Sequence, residues 1–154
     1  MELLNCIVYI IVSGLVVFFI GRIIPRSWIK ENSFPFKSFK FEKEGKIYEK
    51  IKIQKWKTRL PDASVVINKI VPNFMPIKRL NIKSKDKVKI LIKESCVAES
   101  NHFIVAVLGL FCSVIWNKSG GRIIAVSYFL FNVPFIIIQR YNRPRLKRVV
   151  ENFK

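Results

Sequence analysis

The sequence is poor in the residues that build metal centres, disulfide frameworks and phosphate loops. Its one histidine is His102, and its three cysteines, Cys6, Cys96 and Cys112, are far apart. Neither a CxxC metal site nor a disulfide framework fits that spacing, and a thiol in an apolar run serves as a small apolar side chain. Glu99 and His102 could supply two metal ligands as a Glu-x-x-His pair. No second such pair completes a site, even counting Asp62 and Glu94, so no metal is expected. There is no glycine-rich phosphate loop and no Gly-x-Ser-x-Gly elbow. No Gly/Ser linker, repeat or low-complexity tract interrupts the 154 residues, which read as a single membrane domain, 1–154. Acidic residues are scarce as well: ten Asp and Glu stand against 28 Lys and Arg, for a net charge of +18.

What is present is apolar sequence, 51% of the chain, held apart from the charge. That segregation is the mark of a membrane protein with basic loops. The predicted fold class is mainly α and integral to the membrane, with about three transmembrane helices: an N-terminal span at 3–24 and a C-terminal helical hairpin at 97–116 and 122–139. The first stretch, Leu3 to Ile24, reaches roughly 33 Å as a helix, enough for a hydrocarbon core of about 30 Å. It begins with Glu2, lacks an early Lys or Arg, and ends at Gly21-Arg22-Ile23-Ile24-Pro25-Arg26, so it reads as an uncleaved span rather than a signal peptide. Phe103 to Trp116 alone is short for a crossing. Starting that helix near Val97 restores the length and draws Glu99, Asn101 and His102 to the inner mouth of the membrane; the alternative is a re-entrant hairpin.

Residues 25–101 carry 19 of the 28 Lys and Arg residues, and 139–154 carry six more. Three spans put both blocks on one side. The positive-inside rule makes that side cytoplasmic, giving a multi-pass cell-membrane protein with its N-terminus outside and its C-terminus in the cytoplasm. Within the basic segment 25–96, Phe39/Phe41 and Ile51/Ile53 alternate with Lys40 and Lys52, which predicts short strands or an interfacial segment. Lys83 to Glu94 reads as a surface helix running on into the second span. Residues 65–77 leave a further re-entrant segment open. Basic residues beside aromatics also occur in nucleic-acid binders, but topology and anionic lipids account for the charge here, and no nucleic acid is expected.

The hairpin carries the chemistry. Ser95, Glu99, His102, Ala106, Gly109 and Ser113 share one helical face, and Ala125, Tyr128, Asn132, Phe135, Gln139 and Asn142 form a matching stripe on the third span. Small residues permit close helix approach in membranes, and Tyr128 and Asn132 read as hydrogen-bonding glue across the pair. Glu99 lies one turn before His102, where a carboxylate can support an imidazole as general base. Cys96 is off that face. Two polar clusters flank the spans: Lys55-Trp56-Lys57-Thr58-Arg59-Leu60-Pro61-Asp62, and Gln139-Arg140-Tyr141-Asn142-Arg143-Pro144-Arg145-Leu146. Arginine forks suit phosphates and carboxylates.

Those segments resemble one family, the glycosyl-diaponeurosporenoate acyltransferases, small membrane enzymes of the last step of staphyloxanthin synthesis. The resemblance rests on Lys37-Ser38-Phe39-Lys40-Phe41-Glu42-Lys43 through Lys55-Trp56-Lys57 and Leu60-Pro61-Asp62, on Glu94-Ser95, Ala98-Glu99 and His102, and on Asn132-Val133-Pro134 through Gln139 to Leu146. It implies transfer of a fatty acyl group to a sugar hydroxyl of a membrane glycolipid, with a glycosylated carotenoid-like acceptor. No bound cofactor is expected; acyl-CoA or an acyl carrier is the co-substrate, and membrane lipids are the surroundings. In that reading His102 removes the hydroxyl proton, with Glu99 or Asp62 orienting the imidazole. Trp56, Lys57, Asn132, Gln139, Arg140, Tyr141, Asn142, Arg143 and Arg145 bind substrate. The arginines take the phosphates of the donor or of a lipid, and Asn142 donates to the developing oxyanion. No residue stands out as an acyl-enzyme nucleophile, so direct transfer is expected. The rival readings are a lipid- or partner-binding membrane protein without catalysis and another prenyl-lipid-modifying enzyme. A transporter would need a homo-oligomer to enclose a pathway.

Overall fold

A computed structural model describes residues 1–60, 65, 68–69 and 84–153. Among the described residues every regular element is helical. Helix α1 spans Glu2–Ile23, α2 is the short turn Ile53–Trp56, α3 runs over Lys85–Gly109, α4 is the single turn Cys112–Ile115, and α5 covers Ser119–Glu151. Among the described residues, three helices are long and apolar enough to cross a membrane: Glu2–Ile23, Lys85–Ile115 and Ser119–Glu151. The 25 residues of α3 rise about 38 Å and the 33 of α5 about 50 Å, so neither is limited to the short apolar run that marked it in the sequence. The surface helix expected from Lys83 does run into the second span without a break. The basic tail after residue 139 is the continuation of α5 as far as Glu151.

One expectation is corrected. The alternation around Phe39 and Ile51 does not form strands; Lys40–Glu49 is 3-10 helix, interrupted by left-handed backbone at Lys43, Glu44 and Gly45. A period-two pattern that short is outweighed by a polar contact with a distant helix, made by Glu42. Asp62 and nearly all of the 65–77 segment lie outside the described residues.

The chain forms two compact units, Met1–Lys30 with Cys96–Gln139, and Glu31–Ser95 with Arg140–Lys154. The first is apolar. Cys6, Cys112 and Ala125 are buried together, with Tyr9, Ile10, Trp116 and Ile124 packed on them. The Tyr9 hydroxyl donates to the Leu108 carbonyl at 3.1 Å. Close approach depends on two glycines: a Cβ on Gly21 would overlap the Asn101 amide, and one on Gly109 would overlap the Tyr128 ring. The outer faces expose Leu4, Ile11, Leu15, Phe19, Ile123, Val126 and Leu130. An apolar belt of that kind suits hydrocarbon, where helices associate by packing rather than by leaving water.

The second unit is basic and is organised around a carboxylate. Glu42 is 2% exposed, and it binds the Arg140 guanidinium through both carboxylate oxygens. It also accepts the Phe39 N–H at 2.6 Å and the Tyr48 hydroxyl. The left-handed turn that follows carries Gly45 at φ +90°, where a side chain would also press on the Tyr141 backbone carbonyl at 3.3 Å.

Candidate active site

In the apolar unit, α3 presents His102 and α5 presents Asn132. The two meet through His102 Nδ1 and Asn132 Oδ1, 2.9 Å apart. The Asn132 amide nitrogen donates to the Tyr128 carbonyl at 2.9 Å, one turn back on α5. That bond orients the amide, so its oxygen accepts. The amide oxygen is thus turned toward the imidazole, where it can accept from a protonated Nδ1. Phe135, one turn beyond Asn132, stacks on the imidazole at 4.7 Å between centroids and 11° between planes. These two contacts fix the orientation of the ring. Glu99 is buried one turn before His102 on α3, and Gln139 is buried further along α5. Elsewhere in this unit, an apolar groove of about 560 Å³ follows α1 past Leu4, Val8, Val12 and Val16 to Leu108, with Asn5, Tyr9 and Ser13 as its few polar members and none of the His102 cluster in its lining.

The basic unit holds the remaining expected residues. Arg140 gives its donors to Glu42 and to the carbonyls of Pro35 and Lys37, at 3.1 and 3.3 Å for the latter two. Arg143 is 2% exposed; it donates to Ser95 Oγ at 3.0 Å, the Ser95 carbonyl at 3.1 Å and the Phe36 carbonyl at 2.8 Å. Their guanidinium carbons lie over Phe39 and Phe36, at 4.5 and 5.5 Å from the ring centroids. Both arginines thus fasten the 35–42 segment to α5. Tyr141 is buried, and its hydroxyl has no hydrogen-bond partner among the described residues. Lys57 and Arg145 both sit over its ring, and Lys57 donates to Asn142 Oδ1 at 3.2 Å. Trp56 is half-buried and donates from its indole N–H to the Ile51 carbonyl at 3.0 Å.

The electrostatics follow from these contacts. Burial alone would raise the Glu42 carboxyl, but hydrogen bonds from Arg140, Tyr48 and the Phe39 N–H outweigh it and hold it below the ordinary carboxylate range. The Tyr48 phenol is pushed well above its ordinary value by burial and by the Glu42 charge that its proton contacts. Lys57 is lowered, first by burial and then by the neighbouring Arg145. Sequence reasoning gave no role to Glu42 or Tyr48, and it placed Ser95 only on a helical face. The one available signal was a lone acid followed by Glu-Gly within a lysine-rich run, Glu42 to Gly45.

Residues 25–152 match the CrtO family model, described as glycosyl-4,4'-diaponeurosporenoate acyltransferase. Curated proteins of that name from Staphylococcus aureus strains N315, bovine RF122 / ET3-1 and MRSA252 are each 31% identical to this chain over 153 residues, covering 97% of it and 88% of the relative. No solved structure matches.

Proposed function

Because the chain belongs to the glycosyl-4,4'-diaponeurosporenoate acyltransferase family, a family of acyltransferase enzymes, we propose that it moves a fatty acyl group from a thioester donor to a sugar hydroxyl of a glycosylated carotenoid-like lipid, with His102 as general base. The observation that supports the reading is the His102–Asn132–Tyr128 chain: with Nδ1 donating to the Asn132 oxygen, the basic lone pair is on Nε2. The acceptor hydroxyl loses its proton to Nε2 as its oxygen attacks the donor carbonyl carbon. That attack forms the new ester C–O bond and a tetrahedral oxyanion, which collapses by re-forming the carbonyl and breaking the thioester C–S bond. The imidazolium then returns the proton to the departing thiolate. Glu99, buried one turn before His102, stabilises the imidazolium that forms in between. Phe135 keeps the ring plane, and Asn132 keeps the tautomer, so both act by positioning.

Topology is part of the proposal. The charge distribution supports an outside N-terminus and a cytoplasmic C-terminus, which puts Lys57 and Arg145 on the side where thioester donors are made. The groove along α1 is apolar enough to take an acyl or isoprenoid chain.

The test is lipid profiling by mass spectrometry of membranes that supply the acceptor, with wild type, His102→Ala and Asn132→Leu at equal expression. Wild type is expected to add an acylated glycolipid. His102→Ala should lower its formation by about 10²–10⁴-fold, the usual contribution of a positioned base. Asn132→Leu should lower it less, about tenfold or more, because the base remains but its tautomer is no longer fixed. Equal product from His102→Ala would remove the base from the mechanism, and no product from wild type would favour a lipid-binding role.

A further inference from the structure

Two arginines of the α5 cluster are used up inside the fold. Arg140 is bound to Glu42 and two carbonyls, and Arg143 to Ser95 and the Phe36 carbonyl. Lys57 and Arg145 are placed differently. The Lys57 Nζ lies 4.9 Å and the Arg145 Cζ 4.5 Å from the centroid of the same Tyr141 ring. An aromatic face attracts one cation within about 6 Å; two on one ring also repel each other. Among the described residues, a Glu49 carboxylate oxygen is 3.8 Å from the Arg145 guanidinium, with both side chains over 40% exposed. That contact is longer than a hydrogen bond and is screened by solvent.

The arrangement is also held in place. The Lys57 ammonium is aimed by its bond to Asn142 Oδ1 at 3.2 Å, which uses one of its three donors. The Tyr141 ring is buried and backed by Gly45, which lets the 40–49 turn close on the Tyr141 backbone. Two cations held on one aromatic platform, with the Arg145 guanidinium making only the long Glu49 contact among the described residues, suit a doubly charged phosphate.

We propose that Lys57, Asn142 and Arg145, mounted on Tyr141, form a binding site for a phosphate group, carried either by the acyl donor or by an anionic lipid headgroup. A bound dianion relieves the repulsion between the two cations, and it also favours the charged form of Lys57, which burial and Arg145 now oppose. Where the phosphate belongs to the donor, the site rests on the transferase reading and anchors the non-reacting end of that substrate, raising its affinity without touching the acyl carbon.

The full chain in phosphatidylcholine nanodiscs is titrated with inorganic pyrophosphate, followed by ³¹P line broadening. A second arm measures retention of phosphatidylglycerol by native mass spectrometry from mixed nanodiscs. Lys57→Gln and Arg145→Gln are compared with Lys50→Gln and Lys55→Gln, exposed lysines that lose the same charge. The expected result is about tenfold weaker binding for each of the first pair, unchanged binding for the second, and substantial recovery in Lys57→Arg. Loss confined to pyrophosphate names the donor; loss confined to phosphatidylglycerol names a headgroup. Equal weakening by the control pair, or no weakening in either arm, overturns the site. His102→Ala should bind pyrophosphate as wild type does. A wild type that binds pyrophosphate but transfers no acyl group defeats the transferase reading and leaves the phosphate site standing.

Discussion

The apolar unit and the basic unit are built on opposite principles. The apolar unit has five of the 28 Lys and Arg residues, and the basic unit has the other 23. In the first, contact is made where side chains are small: Gly21 against Asn101, and Gly109 against Tyr128. In the second, contact is made where charge is answered: Glu42 collects Arg140, Tyr48 and the Phe39 N–H, and Arg143 collects carbonyls. Helix α5 serves both, with Asn132 at its apolar end and Arg140 to Arg145 at its basic end. A hydrocarbon medium around the apolar unit would account for the contrast. Hydrocarbon offers no reward for hiding apolar groups from it, so shape decides. A unit with 23 cations must instead answer its own repulsion, and one buried carboxylate does so for the arginine on which the 35–42 segment hangs.

If that contrast is right, the largest single loss comes from Glu42→Ala. Removing one member of a buried ion pair typically costs about 3–5 kcal/mol, because the partner charge stays behind. Thermal unfolding in nanodiscs should show it, together with new proteolytic cleavage within residues 31–60 while the α1 region stays protected. Uniform loss of both units would break the comparison. The counterpart in the apolar unit is Gly109→Val. A side chain there must displace the Tyr128 ring, and overpacking typically costs about 1–3 kcal/mol. Because Asn132 bonds the Tyr128 carbonyl, this variant should also reduce acyl transfer while leaving pyrophosphate binding alone.

A smaller effect is read through pH. Glu42 has a folded value below its unfolded one, so its contribution is complete above about pH 4.3 and is lost as the pH falls through the folded value. Tyr48 is raised, so its contribution is complete below about pH 10 and is lost as the pH climbs toward its folded value. Stability of the basic unit should therefore decline at both extremes. Glu42→Gln should flatten the acid limb, as measured by unfolding midpoints between pH 3 and 6, roughly the carboxylate range. An acid limb of unchanged slope would assign it to other carboxylates.

The two units were also unequally legible in the sequence. Helices α1, α3 and α5 follow from apolar length, and the facing stripes placed His102 and Asn132 on neighbouring helices, where the structure bonds them. Those signals are local or periodic. The 40–49 turn depends on Glu42 meeting Arg140, 98 residues away, and no local pattern encodes that pairing. The arginine cluster was visible as a cluster. Its division into two anchors and one half-exposed guanidinium was not, because spacing cannot say which guanidinium meets the carbonyls of residues 35–37.

The smallest expected effect tests the same contrast from its other side. Leu130 is 59% exposed on α5, within the apolar belt. In water, truncating a buried leucine leaves a cavity and costs about 2–5 kcal/mol. Here the Leu130 side chain fills no space inside the fold, and lipid can occupy what it vacates. Leu130→Ala should change stability in nanodiscs by no more than about 0.5 kcal/mol, as for surface substitutions generally. Leu130→Lys at the same position should cost about 2 kcal/mol or more, since a cation in hydrocarbon must be solvated or moved. Unfolding both variants beside wild type separates the cases. A small loss for alanine with a large one for lysine places that face in lipid. Similar small losses for both would mean that the belt meets water, and the apolar unit would then need a covering partner.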